Sequence, residues 1–212
     1  MDKPVIIFGA KGIAKSALEI LQSNDIIVFG FLDEDKTTHD QTINDIPVLG
    51  APDDHGFLKL IGQKCEAFIA TDNNNIRKDL TDMLIDGRKV MPINALHKTA
   101  SVAPSATIGH GNFINAGVTI GANAIIGSHC MLHTGVIIEQ DAIIEDFVQI
   151  GSGSVINAGV TIEKNVFIGT GVLIVSGITV KAGARIGAGS VVIANVGKNE
   201  TVFGNPAVKI NK

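Results

Sequence analysis

The chain has no tryptophan and no tyrosine, and only two cysteines and six prolines in 212 residues. With nine phenylalanines as its only large aromatics, it cannot build its core mainly on rings, so the buried volume has to come from aliphatic side chains. Cys65 and Cys130 lie far apart, which favours two free thiols in a reducing compartment over a disulfide framework. A basic surplus is missing as well: 17 Lys and Arg stand against 21 Asp and Glu, for a net charge of −4. That balance leaves no electrostatic footprint for nucleic acid. No apolar run approaches the ~18 residues of a membrane span. The opening MDKPVIIFGAKG breaks its short apolar run on a glycine turn, unlike a signal peptide. A cytoplasmic protein with neither nucleic-acid nor membrane partners is expected, and its length suits two modest domains.

Glycine is plentiful, at 24 residues, and the aliphatics come with a period. From Leu96 through Ile108, Ile126, Ile144 and Ile162 to Val192, every sixth residue is Leu, Ile or Val without a miss. A hexapeptide period is the signature of a β-helix. Each unit reads as a short strand plus a turn, and three units close one triangular coil. The aliphatic points inward and stacks on its equivalent one coil away. Because strand side chains alternate, the residue two before it also points inward. That slot is nearly all small (Ala106, Ala124, Cys130, Ser154, Ala184), as a narrow prism requires, with Asn112 the misfit. Gly, Asn or Glu often follows the aliphatic and places the tight turn there. Each coil then touches only its neighbours. Two outward stripes are apolar. Ile137, Val155, Leu173 and Val191 read as a seam with a partner. Phe113, Met131, Gln149 and Phe167 read as the lining of a groove.

Ahead of the repeat, Val5–Phe8 reads as a strand ending in Gly9-Ala10-Lys11-Gly12, residues 13–22 as a helix, and 26–32 as a second strand closed by Asp33-Glu34-Asp35. Strand, glycine turn, helix, strand and an acid about 20 residues on outline a nucleotide-binding βαβ unit. The glycines miss G-x-G-x-x-G, so NAD is not the expected ligand. An α/β unit without a ligand is the alternative, because fold alone does not imply function. Ile46–Gly50 reads as a loop before a short helix at 57–61. Residues 67–70 read as a third strand, 73–85 as a helix capped by Asn73 or Asn74, and 90–93 as a fourth strand. The domains are therefore 1–95, 96–194 and a tail 195–212 holding the Gly204-Asn205-Pro206-Ala207 turn.

The segments IIFGAKGIAKSALEIL, GFLDEDK, IPVLG, FIATDNNNIRKDL, LHKTASVAPSATIG, IIEQDAIIEDFVQIGSG and VFGNPAVKI follow one another along nearly the whole chain. Together they resemble the bacterial sugar acetyltransferase family of sialic acid O-acetyltransferases (NeuD type) and UDP-amino-sugar N-acetyltransferases (PglD type). The resemblance implies an N-terminal α/β, Rossmann-like domain for a nucleotide sugar and a C-terminal left-handed parallel β-helix of hexapeptide repeats. It also implies a homotrimer, with acetyl-CoA as co-substrate between adjacent helices and no metal. By the same resemblance, Lys11, Gly12, Ile13, Asp33, Glu34 and Asp72 meet the substrate, and Gln140 and Asp141 form the catalytic turn. Gln149, Thr170 and Ala188 meet acetyl-CoA, the last two through backbone atoms. Four of these positions depart from the family. Ile13 and Gln149 replace histidines, Asp72 replaces a glycine, and Gln140 replaces the histidine that serves as general base.

Attack of an amine or hydroxyl on a thioester releases a proton, and a positioned base typically contributes about 10²–10⁴-fold. A Gln amide is not basic, though it still hydrogen-bonds, and alignment and backbone donors remain available. Of the imidazoles in the repeat, His110, His129 and His133, the last two bracket residues 130–132 and fall at turns, where facing solvent is the default. His133, in the turn before Glu139–Asp141, or a bound water is the expected substitute base. Asp72 repels an approaching phosphate. Lys11 either offsets that or simply pairs with Asp72 across the strand tips, and a solvated acidic run is the alternative for Asp33 and Glu34. The leading expectation is acetylation, on nitrogen or oxygen, of a nucleotide-linked amino sugar or sialic-acid-like sugar for bacterial surface-polysaccharide (lipopolysaccharide) biosynthesis. The alternative is a catalytically silent trimer that binds sugar nucleotide or CoA as a scaffold. A third option is an acyl group other than acetyl.

Overall fold

Four consecutive buried apolar residues make β1 (Val5–Phe8), a run with no alternation because both faces of the strand are covered. The computed structural model describes residues 3–210 and divides into two units, one ending at Lys98 and one starting at Thr99. In the first unit β1 is followed by α1 (Ala14–Ser23), β2 (Val28–Leu32), β3 (Thr42–Ile43), β4 (Ile46–Gly50), α2 (His55–Leu58), β5 (Glu66–Ile69) and α3 (Asn74–Arg88). The sheet order is β3-β4-β2-β1-β5, parallel except for the β3–β4 hairpin. α1 buries Ala14, Ala17, Leu18, Ile20 and Leu21, the one-sided stripe that helical spacing dictates. Asn73 caps α3, its Oδ1 accepting from Asn75 N at 3.0 Å and Ile76 N at 3.2 Å, which satisfies two donors that the first turn leaves open.

Two expectations for this unit are corrected. Ile46–Gly50 is a strand: it runs parallel to β2, with Phe31 opposite Val48 and Leu32 opposite Gly50. Pro47 made it read as a loop. The proline faces Thr42 of the two-residue edge strand, where a missing ladder donor is tolerated. Residues 90–93 form no strand. Ile93 N donates to Ala67 O at 2.9 Å, but this does not extend to a ladder.

The second unit is a left-handed β-helix with three faces of stacked two-residue strands. Face A holds Thr119–Ile120, Ile137–Ile138, Val155–Ile156, Leu173–Ile174 and Val191–Val192. Face B holds Ile125–Ile126, Ile143–Ile144, Thr161–Ile162 and Thr179–Val180. Face C holds Phe113–Ile114, Met131–Leu132, Gln149–Ile150, Phe167–Ile168 and Arg185–Ile186. The chain visits A, B and C in turn, so each coil has an A-to-B, a B-to-C and a C-to-A corner. The second residue of each of these strands is buried and joins a single aliphatic column, each side chain worth roughly 1.5–3 kcal/mol of burial. The first aliphatics of the period are the exceptions: Leu96 is 37 % exposed, and Val102 and Ile108 are only partly buried. Asn112 fits its inward slot because its amide is hydrogen-bonded to backbone groups of the turn one coil on. It accepts from Cys130 N at 2.7 Å and donates to Gly127 O at 2.9 Å. Both cysteines are free and buried.

The turns work differently from the expectation. The left-handed residue lies three places after the aliphatic, as at Gly153, Gly171, Asn123, Asn165 and Asp141. The glycine directly after the aliphatic serves close approach instead. A Cβ at Gly169 would lie 2.6 Å from Ala188 N. The tail continues face C: Thr201–Phe203 runs parallel to Arg185–Ile186 and turns back into Val208–Lys209. Among the described residues no helix is long and apolar enough to cross a membrane.

Candidate active site

In the first unit the candidate residues gather at the C-terminal tips of β1, β2 and β5, where open α/β sheets bind ligands. The tips are tied together by Asp33. Its Oδ2 accepts from Ala10 N at 2.6 Å and its Oδ1 from Asp35 N at 2.8 Å. Asp33 is therefore a tie for the glycine turn and not part of a solvated run. Gly9 is obligatory there: its φ is 101°, and a Cβ would lie 2.7 Å from Ala70 O. Lys11 does not pair with Asp72 but with Asp35. That hydrogen bond raises the pKa of the Lys11 ammonium and, with Thr37, holds the Asp35 carboxyl below its usual range. Asp35 is brought to Lys11 by Asp33, whose carboxylate accepts from both Ala10 N and Asp35 N.

Three cavities open around these tips. One of ≈ 440 Å³ has Glu34, Asp53 and Asp79 around an apolar floor of Pro52, Ile76, Leu80 and Met83. A smaller one of ≈ 120 Å³ reaches Gly9, Asp33 and Thr71. The third, of ≈ 430 Å³, is lined by Lys11, Gly12, Lys15, Thr38 and Gln41. Acid-rimmed apolar space thus lies beside Glu34, and cationic space beside Lys11 and Lys15. Ile13 is the first residue of the α1 entry and makes no side-chain cap. Asp72 is exposed and lines none of these three cavities. Sequence reasoning missed Arg77, which is 1 % exposed and donates through Nη1 to Thr71 O at 2.7 Å and through Nη2 to Asn74. Its signal was present, since Arg77, Leu80, Thr81 and Leu84 share the buried face of α3.

In the β-helix the candidates separate. Gln140 and Asp141 lie at an A-to-B corner, both exposed. Asp141 is left-handed, with φ 59°, and its carboxylate accepts from Asn123 Nδ2 at 3.3 Å. Gln149 lies on face C, and Thr170 and Ala188 at C-to-A corners one coil apart. In a triangular section the A-to-B corner is opposite face C, so one copy cannot bring these groups together. His133 opens a C-to-A corner, half-buried and edge-on to Phe113 with ring centres 5.9 Å apart. Its Nε2 lies 3.4 Å from Gln149 Nε2. The structure therefore pairs His133 with Gln149 and not with Gln140.

Two further corrections follow. His129 is not a solvated turn residue. It is buried, stacked on Phe147 with centres 4.9 Å apart, and it fills the space over Gly111. His129 and Phe147 both sit at left-handed positions, costly for bulky residues, and their stacking offsets that. The stripe on face C is not an open lining throughout, because Phe113 and Met131 are each 1 % exposed. Arg185 covers Phe167, its guanidinium 4.5 Å from the ring centre. Among the described residues no group of three His, Cys, Asp or Glu is placed to hold a metal ion.

Residues 141–176 match the bacterial transferase hexapeptide model, and residues 117–145 and 159–194 match the hexapeptide repeat of succinyl-transferase. Fold and repeats together define the class, a hexapeptide-repeat acyltransferase. Residues 4–84 match the PglD N-terminal domain, so the chain carries that domain ahead of hexapeptide repeats, as its structural neighbours among the PglD-type bacterial sugar acetyltransferases do. No curated protein matches the chain. Among solved structures, a histidine-to-asparagine variant of perosamine N-acetyltransferase from Caulobacter crescentus, in complex with CoA and GDP-perosamine, is 29 % identical. The match covers 99 % of this chain and 97 % of that one, with a TM-score of 0.91. The acetyltransferase domain of PglB from Neisseria gonorrhoeae is 26 % identical over 99 % of this chain and 100 % of that one, with a TM-score of 0.89.

Proposed function

We propose that the protein transfers an acetyl group from acetyl-CoA to the amine of a nucleotide-linked amino sugar, a step that supplies bacterial surface polysaccharide. The observation that carries this is the C-to-A edge of the prism. Its outermost positions, Thr134, Ser152, Thr170 and Ala188, are small and uncharged and recur once per coil, at the ~4.8 Å strand spacing. An extended pantetheine arm fits along such a column, with Gln149 beside it. The B-to-C edge carries Asp146 and Lys164 at the same positions and offers no such track. In the first unit, the acid-rimmed and lysine-lined cavities around Asp33 suit the base and diphosphate of the sugar nucleotide.

The acyl-transfer site needs a second copy. If face A of each copy turns toward a three-fold axis, the A-to-B edge of one copy meets the C-to-A edge of the next. Gln140 and Asp141 of one copy then face Gln149, Thr170 and Ala188 of its neighbour. Ile137, Val155, Leu173 and Val191 on face A are partly or fully exposed and supply the apolar seam such an assembly buries. The test is thiol release from acetyl-CoA with UDP- and GDP-linked amino sugars, and with a sialic-acid-like sugar for the oxygen-acylating alternative. Release that depends on a nucleotide amino sugar is the expected result. Acetyl-CoA binding without release for any acceptor would establish the silent scaffold instead.

A further inference from the structure

We infer that His133 is the group that takes the proton during acyl transfer, in place of a base at Gln140; this rests on the acetyl-CoA-dependent function proposed above. Among the described residues of the prism, imidazoles occur at 110, 129 and 133. His129 is committed to its stack on Phe147, and His110 lies at a B-to-C corner, away from the smooth edge. His133 alone stands on the C-to-A edge, next to Thr134 at the head of the small-residue column. It is held from two sides, by the Phe113 ring and by Gln149, 3.4 Å away. Its backbone is fixed as well: His133 N donates to Ile150 O at 3.0 Å, and its carbonyl accepts from Val136 N at 3.2 Å. Fixed orientation is what a general base needs, and imidazole is the side chain whose ordinary pKa lies near neutrality.

Gln149 has a part in this arrangement. Its amide lies 3.4 Å from Nε2 and can donate to that nitrogen while it is unprotonated. When Nε2 is protonated, rotation of the same amide presents its oxygen to the new N–H. The chemistry balances without another reagent. The lone pair of the acceptor amine attacks the thioester carbonyl carbon, and the N–H proton passes to His133. The C–S bond then breaks, and the imidazolium returns the proton to the departing thiolate, giving the amide and free CoA thiol.

The experiment measures turnover against pH for the full-length protein and for the variants His133→Asn and His133→Gln. Acetyl-CoA binding is measured alongside by calorimetry, to show that the variants fold. Loss of about 10²-fold in kcat, with KM for acetyl-CoA little changed and the near-neutral acidic limb of the pH profile gone, is the expected result. Variant turnover within about threefold of the parent, or an unchanged pH profile, overturns the assignment and leaves the acetyltransferase function standing. No turnover in the parent protein overturns both. In either case, the ring resonances of His133 are expected to move when CoA is added. Resonances that stay fixed while CoA binds contradict the placement itself.

Discussion

The two units encode their structures in opposite ways. In the β-helix each structural role recurs every six residues, so Ile120, Ile138, Ile156, Ile174 and Val192 do the same job on one face. In the α/β unit almost every role is played once: Asp33 ties the glycine turn, Arg77 fixes the Thr71 carbonyl, and Asn73 caps α3. The difference explains how outward positions of the prism can change while its scaffold is kept. Gln140 and Gln149 occupy outward positions on the prism, where a substitution leaves the inward column untouched.

Substitutions can sharpen that contrast. The largest effect is expected in the shared column: Ile150→Ala should cost about 3–4 kcal/mol, read from the chemical-denaturation midpoint. A loss below about 1 kcal/mol would mean the column relaxes more freely than close packing allows. Next come two glycines on one turn. Gly169→Ala puts a Cβ 2.6 Å from Ala188 N and must open the coil spacing, at a cost of about 3 kcal/mol. Gly171→Ala has open space but a φ of 67° and should cost about 1–2 kcal/mol. The reverse ranking would contradict the assignment of the turn to the third residue after the aliphatic. In the α/β unit, Arg77→Met leaves Thr71 O without a donor and should cost about 2 kcal/mol. It should also weaken nucleotide-sugar binding while acetyl-CoA binding stays the same.

The smallest effect is electrostatic. Asp35 has its pKa lowered by Lys11 and Thr37, so its contribution is present above the unfolded carboxyl value, about 4. That contribution is lost as pH falls through the lower folded value. Amide exchange in the Lys11 turn should therefore quicken as pH drops below about 4, once intrinsic rates are corrected. Asp35→Asn should abolish that dependence, and a turn that loosens equally in both proteins would show that the pair contributes nothing.

What the sequence made legible follows the same division. The prism and its inward slots could be read from the period alone, and its one anomaly, Asn112, was visible as an anomaly. The α/β order was legible where apolar runs were long, as in β1 and α1. β4 was lost to Pro47, because tolerance of a proline depends on knowing that its neighbour is an edge strand. The Lys11–Asp72 pairing, one of two alternatives for Lys11, named the wrong acid because Asp35 reaches Lys11 only through a loop that Asp33 ties. His129 was taken for a surface residue because nothing local announces a stack on a side chain one coil away. Residue types in order carry periodic packing well, and single long-range contacts poorly.

The most direct measurement is complementation between copies. Ala188→Trp obstructs the C-to-A edge and Gln140→Trp the opposite corner, so each variant alone should be inactive. Refolded together in equal amounts, they should recover about one quarter of the parent turnover, because random trimers place two intact edges together at one interface in four. Recovery of that size is the predicted result. No recovery from a mixture shown to exchange subunits, or full activity in either variant alone, would contradict a site shared between neighbouring prisms.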